Sequence, residues 1–443
     1  MRKTITIFVV AMLLLSCTKG HDEMVVTMQP KRSTVISAEQ ALKNLYGELK
    51  LIDGQTRTDC SQRTVKSIKP LTGAVTRSGR ALADNLIYIV EFDEGEGSAV
   101  LAADTRLDPV IAVLDNSVLS AEDFASDNTD DIDVYVASLI SSYAEVASTR
   151  DGLIPAPGHT IIDTIIHAQK YPLLKTKWHQ SAPFNNKCKD YNGNSVVAGC
   201  VAVAVGQFVY YHHSPDTFNN YTVNWLMLEQ MEYSSSNNNQ LPGIDLGGGT
   251  IIGGGDIVVN PGMSGLADRA AADFIYNIGR VCNINYLLGD TGANTPEMLA
   301  AFQTLGYSVS NVNYNSTTAK NLILADKPVV MTGAAYVEED NNYVGHAWLL
   351  DGWLERTIRI TRSEDVDGDV GAGDGGAEVT VTEDYCNVVH CNFGWEGKCD
   401  GYYNCNVFDV SSGLEFLDTT IGDRLMIPNP GLNFDNTLSI FVY

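Results

Sequence analysis

Apolar residues recur at helical spacing in five stretches of the chain. Ser37 is followed three residues later by Gln40, a capping-box pattern that predicts a short amphipathic helix in SAEQALKNLYGEL. The same spacing predicts a helix from about Asp131, another beginning at or just before Cys200, and a third from Thr295. A further helix is expected in LADRAAADFIYNIGRVC. Helices are thus expected in both halves of the chain.

Strand-like runs occupy two regions. LIYIVEF and SAVLAADTRLDPVIAVLDN are rich in apolar residues and are interrupted by turn residues at Glu94–Gly97 and Asp108–Pro109. With the first helix they predict a small α+β unit that ends near Leu119. From about Ile161 the predicted helices come first and strand-like segments follow, which favours an α+β fold over a doubly wound sheet.

A linker is predicted between these two regions. The segment TRDGLIPAPGHT contains proline, glycine and the basic Arg150, which are typical of an exposed segment that a protease can cut. Lys170, Lys175 and Lys177 are further basic positions near the boundary. We therefore expect one unit with its linker over residues 18–160 and a larger unit over 161–443.

The N-terminus has the pattern of an export signal. Two basic residues precede an apolar run from Ile5 to Leu15, which is shorter than the roughly 20 residues that cross a bilayer. The run ends in LLSC, which resembles a bacterial lipobox in which Cys17 would be lipidated and become the first residue. An ordinary signal-peptide end that contains a cysteine is the alternative. Residues 1–17 are predicted to be a lipoprotein signal peptide, and the mature protein is expected at a bacterial membrane, periplasmic or on the cell surface, with release after maturation left open.

Charge narrows the range of partners. The 443 residues include 29 Lys and Arg against 54 Asp and Glu, a formal net charge of −25. Nucleic-acid binding depends on Lys and Arg neutralising phosphates, so no nucleic-acid partner is expected. The length predicts two or three folded units.

No metal or organic cofactor is expected. The four late cysteines form no C-x-x-C pair of the kind that binds zinc and are expected to be disulfides or free thiols: Cys386, Cys391, Cys399 and Cys405. Of the nine cysteines, seven remain after Cys17 and Cys200, so they cannot all pair within one chain. The alternating residues Asp365, Asp367 and Asp369 lack the glycine and glutamate of an EF-hand, and a solvated acidic insertion is the preferred interpretation. A low-affinity calcium site is the alternative.

Cys200 is the candidate nucleophile. The first turn of a helix has unsatisfied N–H groups and the positive end of the dipole, which favour a thiolate. A buried structural thiol is the alternative, because free cysteine is among the most buried residue types.

A thiolate needs an imidazole partner. His212 and His213 lie three turns along the same predicted helix and cannot fold back onto Cys200. His21 lies in the N-terminal tether, and His159 and His167 flank the linker. Of the three histidines that remain, His179, His346 and His390, His346 lies in the β-type run VGHAWLLDGW, where the preceding glycine leaves space for a neighbouring group. A satisfied core histidine is the alternative for this position.

Other residues complete the set that a cysteine acyl-transfer enzyme requires. Gln180, in TKWHQSAPFN, and the backbone N–H of Cys200 are candidate oxyanion donors. NFGWEG supplies Asn392 and Trp395 as candidates to orient His346. The sequence leaves open which of the two does so.

Four motifs resemble the streptopain family of papain-like cysteine peptidases, peptidase family C10. They are W-x-Q-x-x-P-F-N at 178–185, G-C-V-A-x-A-x-x-Q-x-x-x-Y-H at 199–212, V-G-H-A-x-x-x-D-G at 344–352 and H-x-N-x-G-W-x-G at 390–397. The strand-rich segment at 88–116 is similar, more loosely, to the propeptide of that family. One departure is Phe393, where the family pattern often has tryptophan.

The resemblance implies an α+β, papain-like catalytic domain, with a helical half and an antiparallel β half, preceded by a small α+β propeptide domain. It implies a zymogen whose own propeptide is an intramolecular inhibitor, and an endopeptidase that acts on proteins or peptides through a thioester. In it Cys200 would be the nucleophile, His346 its partner, Gln180 an oxyanion donor, and Trp395 or Asn392 the group that orients the histidine. Two alternatives remain: an amidase acting on cell-wall peptides, and a catalytically silent lipoprotein that binds a peptidase.

Overall fold

The structure is a computed structural model that describes residues 35–56, 63–72, 86–126, 131–148, 159–235, 244–245, 251–252, 261–289, 291–337, 342–364, 378–408 and 438–443. The predicted signal peptide with Cys17, most of the predicted linker, most of the Gly-rich segment and the Asp365–Asp369 insertion lie outside these residues. All of the described residues belong to one compact unit.

The described elements include eight helices and fifteen strands. The helices are α1 (Ala38–Thr56), α2 (Ala121–Ala125), α3 (Ile132–Ser148), α4 (Cys200–His212), α5 (Trp225–Ser235), α6 (Pro261–Val281), α7 (Thr295–Thr304) and α8 (Ser316–Leu324). The strands are β1 (Val65–Pro70), β2 (Ile87–Phe92), β3 (Ser98–Ala102), β4 (Val110–Leu114), β5 (His159–Lys170), β6 (Thr217–Phe218), β7 (Tyr221–Thr222), β8 (Ile244–Asp245), β9 (Ile251–Ile252), β10 (Ser310–Asn313), β11 (Val329–Val337), β12 (Asn342–Glu364), β13 (Glu378–Asn392), β14 (Gly401–Asn404) and β15 (Ser439–Val442).

One antiparallel sheet of eleven strands organises the molecule. Its order is β1-β2-β3-β4-β14-β13-β12-β11-β15-β10, and β5 pairs with the part of β12 that extends past β11. Two short hairpins, β6–β7 and β8–β9, lie apart from it. The fold is therefore a mixture of helices with an antiparallel sheet, as the α+β prediction required.

The two faces of β12 contribute to two different hydrophobic cores. Ala347 and Leu349 belong to the core around α4, α6 and α7. Trp348 and Leu350 belong to the core that includes α1, α3 and β2–β4. Since successive side chains of a strand point to opposite faces, β12 separates α4 from the N-terminal helices.

The N-terminal region joins the sheet directly. Strand β4 pairs with β14, with Gly401 opposite Leu114 and Tyr402 opposite Val113. A Cβ atom on Gly401 would lie 2.2 Å from the carbonyl oxygen of Val113, so only glycine permits this approach. The expected boundary between residues 160 and 161 falls within β5, which pairs with β12.

All five predicted helices are confirmed, and the structure adds others. Helix α1 begins after Ser37, whose Oγ accepts the amide of Gln40 at 3.2 Å, but the Gln40 side chain donates to Asn44 rather than completing a capping box. Helix α7 has a full capping box between Asn294 and Glu297. The sequence patterns missed β1, α2, α5 and α8. Strand β1 has no clear alternation to detect, because its residues are half-buried or exposed.

Candidate active site

Cys200 is the first residue of α4, as predicted. The residue before it, Gly199, has φ 90°, and a Cβ atom there would lie 2.3 Å from the carbonyl oxygen of Thr291. Any other residue at 199 would be strained and would clash with that backbone. The glycine therefore lets the chain turn sharply and start the helix at the cysteine.

The thiol of Cys200 is not activated in this structure. Burial raises its pKa, against hydrogen bonds from the backbone N–H groups of Ala347, Val201 and Cys200 itself. The amides at the helix terminus favour the thiolate, as expected, but the loss of solvation outweighs them and the thiol pKa is raised in this state of the chain. The hydrogen bond from the Ala347 amide places the sulfur beside β12, at the residue that follows His346 in the chain.

His346 is buried and neutral. Its Nε2 lies 2.9 Å from the carbonyl oxygen of Phe393, and its side chain is 8% exposed. Burial lowers its pKa to about 4, although the bond to Phe393 opposes that shift. Within the described residues no hydrogen bond joins His346 to Cys200. The two groups thus lie in one region as a thiol and an uncharged imidazole.

Of the two candidates to orient His346, neither hydrogen-bonds to it. The Asn392 side chain donates from Nδ2 to the carbonyl oxygen of Thr176 at 2.8 Å and accepts at Oδ1 from Gln207 at 3.1 Å and from the amide of Gly394 at 3.2 Å. The Trp395 ring lies 6.3 Å from the His346 ring, centroid to centroid, at an interplanar angle of 51°. The imidazole instead donates to the Phe393 carbonyl oxygen. The sequence could not reveal this acceptor, because it is a backbone group.

Gln180 lies against the loop that leads to the cysteine. Its carbonyl oxygen accepts the amide of Ala198 at 2.9 Å. Nearby, Asn185 donates from Nδ2 to the carbonyl oxygen of Val196 at 3.0 Å. The segment of the first motif is therefore fixed along the residues that precede α4, and the backbone of Gln180 is bonded to Ala198, two residues before Cys200.

Tyr135, which the sequence did not single out, packs on His346. It lies on α3, 2% exposed, and its ring is edge-on to the imidazole at 5.5 Å and to Trp348 at 6.1 Å. Its hydroxyl donates to the carbonyl oxygen of Gly333 at 3.2 Å. Burial and the nearby Cys200 raise the pKa of Tyr135, so the phenol stays neutral. A tyrosine of the N-terminal region thus covers the histidine.

The start of α3 is also tied to the loop after Trp395. Lys398 forms ion pairs with Asp133 at 2.5 Å and Asp131 at 3.3 Å. The Cys399 thiol donates to Asp133 at 3.0 Å. These contacts hold α3, and with it Tyr135, over the site.

His390 belongs to a second, charged cluster. Its Nδ1 lies 2.6 Å from Asp351, and its Nε2 lies 3.8 Å from Asp115 of the N-terminal region. Burial alone would lower the pKa of His390, but the two carboxylates outweigh it and raise the pKa to about 10. His390 is therefore a cation at neutral pH, held between two acids, and not the partner of Cys200.

The cluster continues into the N-terminal region. Arg63 pairs with Asp115 at 2.7 Å and with Asp53 at 3.0 Å. Burial opposes ionisation of Asp115, but His390 and Arg63 hold its pKa at about 2. Burial raises the pKa of the nearby Asp400 to about 7. These groups line a cavity of about 590 Å³ between the N-terminal strands and the segment at 171–177.

The remaining candidates lie elsewhere. At the end of α4, His212 contacts Tyr443 and His213 contacts Glu229. Neither is a partner of Cys200, as the sequence predicted. The described cysteines 391, 399 and 405 are free thiols. No group of three metal-ligating side chains occurs among the described residues, and no helix within them is long and apolar enough to span a bilayer.

A cysteine that begins a buried helix, packed against a histidine-bearing strand of an antiparallel sheet, defines a papain-like fold. The sequence model of the peptidase C10 family matches residues 178–403, about half of the chain. The chain therefore belongs to the peptidase C10 family and is a cysteine peptidase. This confirms the family that the four motifs indicated.

Two solved structures resemble the chain. One is a mutant fragment of prointerpain A from Prevotella intermedia, at 15% identity and a TM-score of 0.49, covering 85% of this chain and 98% of that one. The other is active wild-type interpain A cysteine protease from the same organism, at 17% identity and a TM-score of 0.37, covering 62% and 95%. No curated protein matches the chain.

Proposed function

We propose that the chain is an endopeptidase in which Cys200 is the nucleophile and His346 its acid–base partner. One observation carries the proposal: Cys200 begins α4 beside the amide of Ala347, the residue that follows His346 on β12. A thiol at a helix terminus next to an imidazole is what covalent catalysis by cysteine requires. The family assignment supports the same chemistry.

The reaction proceeds in two stages. His346 takes the proton of Cys200, and the sulfur attacks the scissile carbonyl carbon. Gln180 and the amide of Cys200 donate to the oxyanion, the C–N bond breaks, and the imidazolium gives its proton to the leaving amine. Water then attacks the thioester as His346 takes its proton, and the C–S bond breaks as the imidazolium gives that proton to the sulfur, which restores the thiol.

The described conformation is latent, and residues 18–160 act as the propeptide in this proposal. A raised thiol pKa and a histidine pKa of about 4 disfavour the thiolate–imidazolium pair. Tyr135 fills the space beside the imidazole, and the pairing of β4 with β14 keeps the N-terminal region in place. Removal of residues 18–160 would expose the Cys200 thiol and the His346 imidazole to solvent again.

The sequence pattern at 14–17 supports export and lipid attachment through Cys17. A Cys17→Ser variant is expected to lose incorporation of labelled fatty acid and to appear in the soluble fraction of cells. Equal labelling of both proteins would remove the lipid from the proposal without affecting the peptidase.

Cleavage of denatured casein by the full chain tests the activity. We expect the wild type to cleave after its own conversion and Cys200→Ala to remain intact and inactive. Cys282→Ala is the matched control, because Cys282 is fully buried in the same core and away from His346. Equal cleavage by Cys200→Ala would contradict the proposed nucleophile, and cleavage by neither wild type nor control would contradict the endopeptidase.

A further inference from the structure

A fully buried glutamine lies on the nucleophile helix, about two turns from Cys200. Gln207 is 0% exposed, accepts the hydroxyl of Thr176 at Oε1 and donates from Nε2 to Oδ1 of Asn392 at 3.1 Å. A buried side-chain amide needs such partners, since an unpaired one costs about 1–3 kcal/mol. Both ends of the Gln207 amide are therefore committed.

Asn392 closes the network. Its Nδ2 donates to the carbonyl oxygen of Thr176 at 2.8 Å, while its Oδ1 accepts from the amide of Gly394 as well as from Gln207. Thr176 is 2% and Asn392 3% exposed. Three pieces of chain meet here: α4, the segment that leads to Gln180, and the loop that follows β13.

The loop that follows β13 packs closely against α4. Gly394 has φ 71°, and a Cβ atom on it would lie 2.9 Å from Cγ1 of Val203 on α4. The residues on either side of Gly394 face the histidine: the Phe393 carbonyl accepts from His346, and the Trp395 ring lies beside it. The position of the loop on α4 thus determines where the Phe393 carbonyl and the Trp395 ring contact the imidazole.

We propose that Gln207 is a positioning residue for the reaction: by holding Asn392, it fixes the loop Phe393–Trp395 against the nucleophile helix and so sets the approach of His346 to Cys200. This inference rests on the proposed roles of those two residues. Asn392 then acts on the histidine through the loop rather than by direct contact, because both acceptor positions of its oxygen are filled.

Two substitutions separate positioning from simple packing. Gln207→Met keeps the volume and removes both hydrogen bonds. Gln207→Glu keeps the acceptor for Thr176, and only its protonated form can donate to Asn392; burial raises the pKa of such a carboxyl. Phe302→Leu is the control for stability, because Phe302 is buried against Phe208 of the same helix and has no part in the network.

The full-length variants are converted with tagged wild-type protein, which is then removed, and kcat and KM are measured against pH alongside Tm. We expect Gln207→Met to lose about 10–100-fold in kcat with KM little changed, as misplacement of reacting groups does. Gln207→Glu should approach the wild-type kcat as the pH falls and lose it as the pH rises. Phe302→Leu should keep kcat at a similar loss of Tm.

The outcomes distinguish this inference from the function beneath it. If the wild type shows Cys200-dependent cleavage and Gln207→Met retains kcat within twofold of Phe302→Leu, the inference about Gln207 is overturned while the proposed function stands. A kcat ratio between Gln207→Glu and wild type that does not change with pH also overturns it. If the wild type has no Cys200-dependent activity, the proposed function fails and this inference fails with it.

Discussion

The Nε2 atom of His346 lies 2.9 Å from the carbonyl oxygen of Phe393. A carbonyl can only accept, so the proton is on Nε2, and Nδ1 holds the lone pair of the neutral ring. The same bond can persist when the ring is doubly protonated. The backbone of Phe393 therefore selects the tautomer in which Nδ1 can take the proton of Cys200, whatever side chain stands at 393.

Removal of the Tyr135 ring should open the latent site. Tyr135→Ala leaves a gap beside His346 and is expected to lower the free energy of unfolding by about 3–5 kcal/mol. Alkylation of Cys200 by iodoacetamide, mapped by mass spectrometry, should become faster in the unprocessed chain. Tyr135→Phe, which loses only the bond to Gly333, should react nearly as slowly as wild type.

Tyr143→Ala provides the comparison for that experiment. Tyr143 is as buried as Tyr135 on the same helix, but its hydroxyl bonds to Asp108, away from the site. Its loss should destabilise the chain without an equal rise in Cys200 alkylation. Identical alkylation rates for the two alanine variants would show that Tyr135 has no special role.

Acid should weaken the latent state through His346. Its pKa of about 4 lies below the usual 6.5, so the unfolded chain binds the extra proton first, and stability is lost as the pH falls from about 6.5 to 4. The shift corresponds to at most about 3 kcal/mol. Asp400, with a pKa of about 7, acts in the opposite direction over the same range.

The contribution of His346 is therefore measured as a difference. Denaturant unfolding of wild type and His346→Gln, both in a Cys200→Ala background to prevent self-cleavage, should show the wild type losing more stability between pH 7 and 4.5. Parallel pH profiles for the two proteins would mean that His346 is not held neutral.

Alkali should weaken the latent state through His390. Because its pKa is raised to about 10, its stabilising charge is fully present below about 6.5 and is lost as the pH rises toward 10. His390→Gln should be less stable at pH 6.5 and have a flatter profile up to pH 10. Asp351→Asn, which strips the buried cation of its closest partner, should lower stability by about 3–5 kcal/mol at neutral pH. A wild-type profile that is flat from pH 6.5 to 10 would contradict the assignment.

Gly401→Ala should loosen the N-terminal region. The new methyl group would lie 2.2 Å from the carbonyl oxygen of Val113, so β4 and β14 must separate locally, at a cost of about 1–3 kcal/mol or more. Conversion of the full chain, followed by gel electrophoresis, should be faster. Gly265→Ala on α6 meets no atom within 4 Å and should convert at the wild-type rate. Equal rates for both variants would argue against the pairing as the restraint.

The sequence predicted what depends on local pattern and on motifs. Helices α3, α4 and α7 follow from periodic apolar residues, and the four motifs led to Cys200 and His346. Tyr135 could not be found this way, because its contact with His346 joins residues more than 200 positions apart through tertiary packing alone. The Phe393 carbonyl has no side-chain signature. Gln207 stood in a motif, but its partners become visible only when α4, Thr176 and Asn392 are brought together.

The pairing of β4 with β14 has a consequence for the converted enzyme. Gly401–Asn404 are all buried in the full chain, and β14 has β13 on one side and β4 on the other. Loss of β4 would make β14 an edge strand with unpaired backbone N–H and C=O groups. Maturation would thus expose an edge strand of the sheet. An extended segment of another protein, or of a second enzyme molecule, can pair with such an edge as an additional strand.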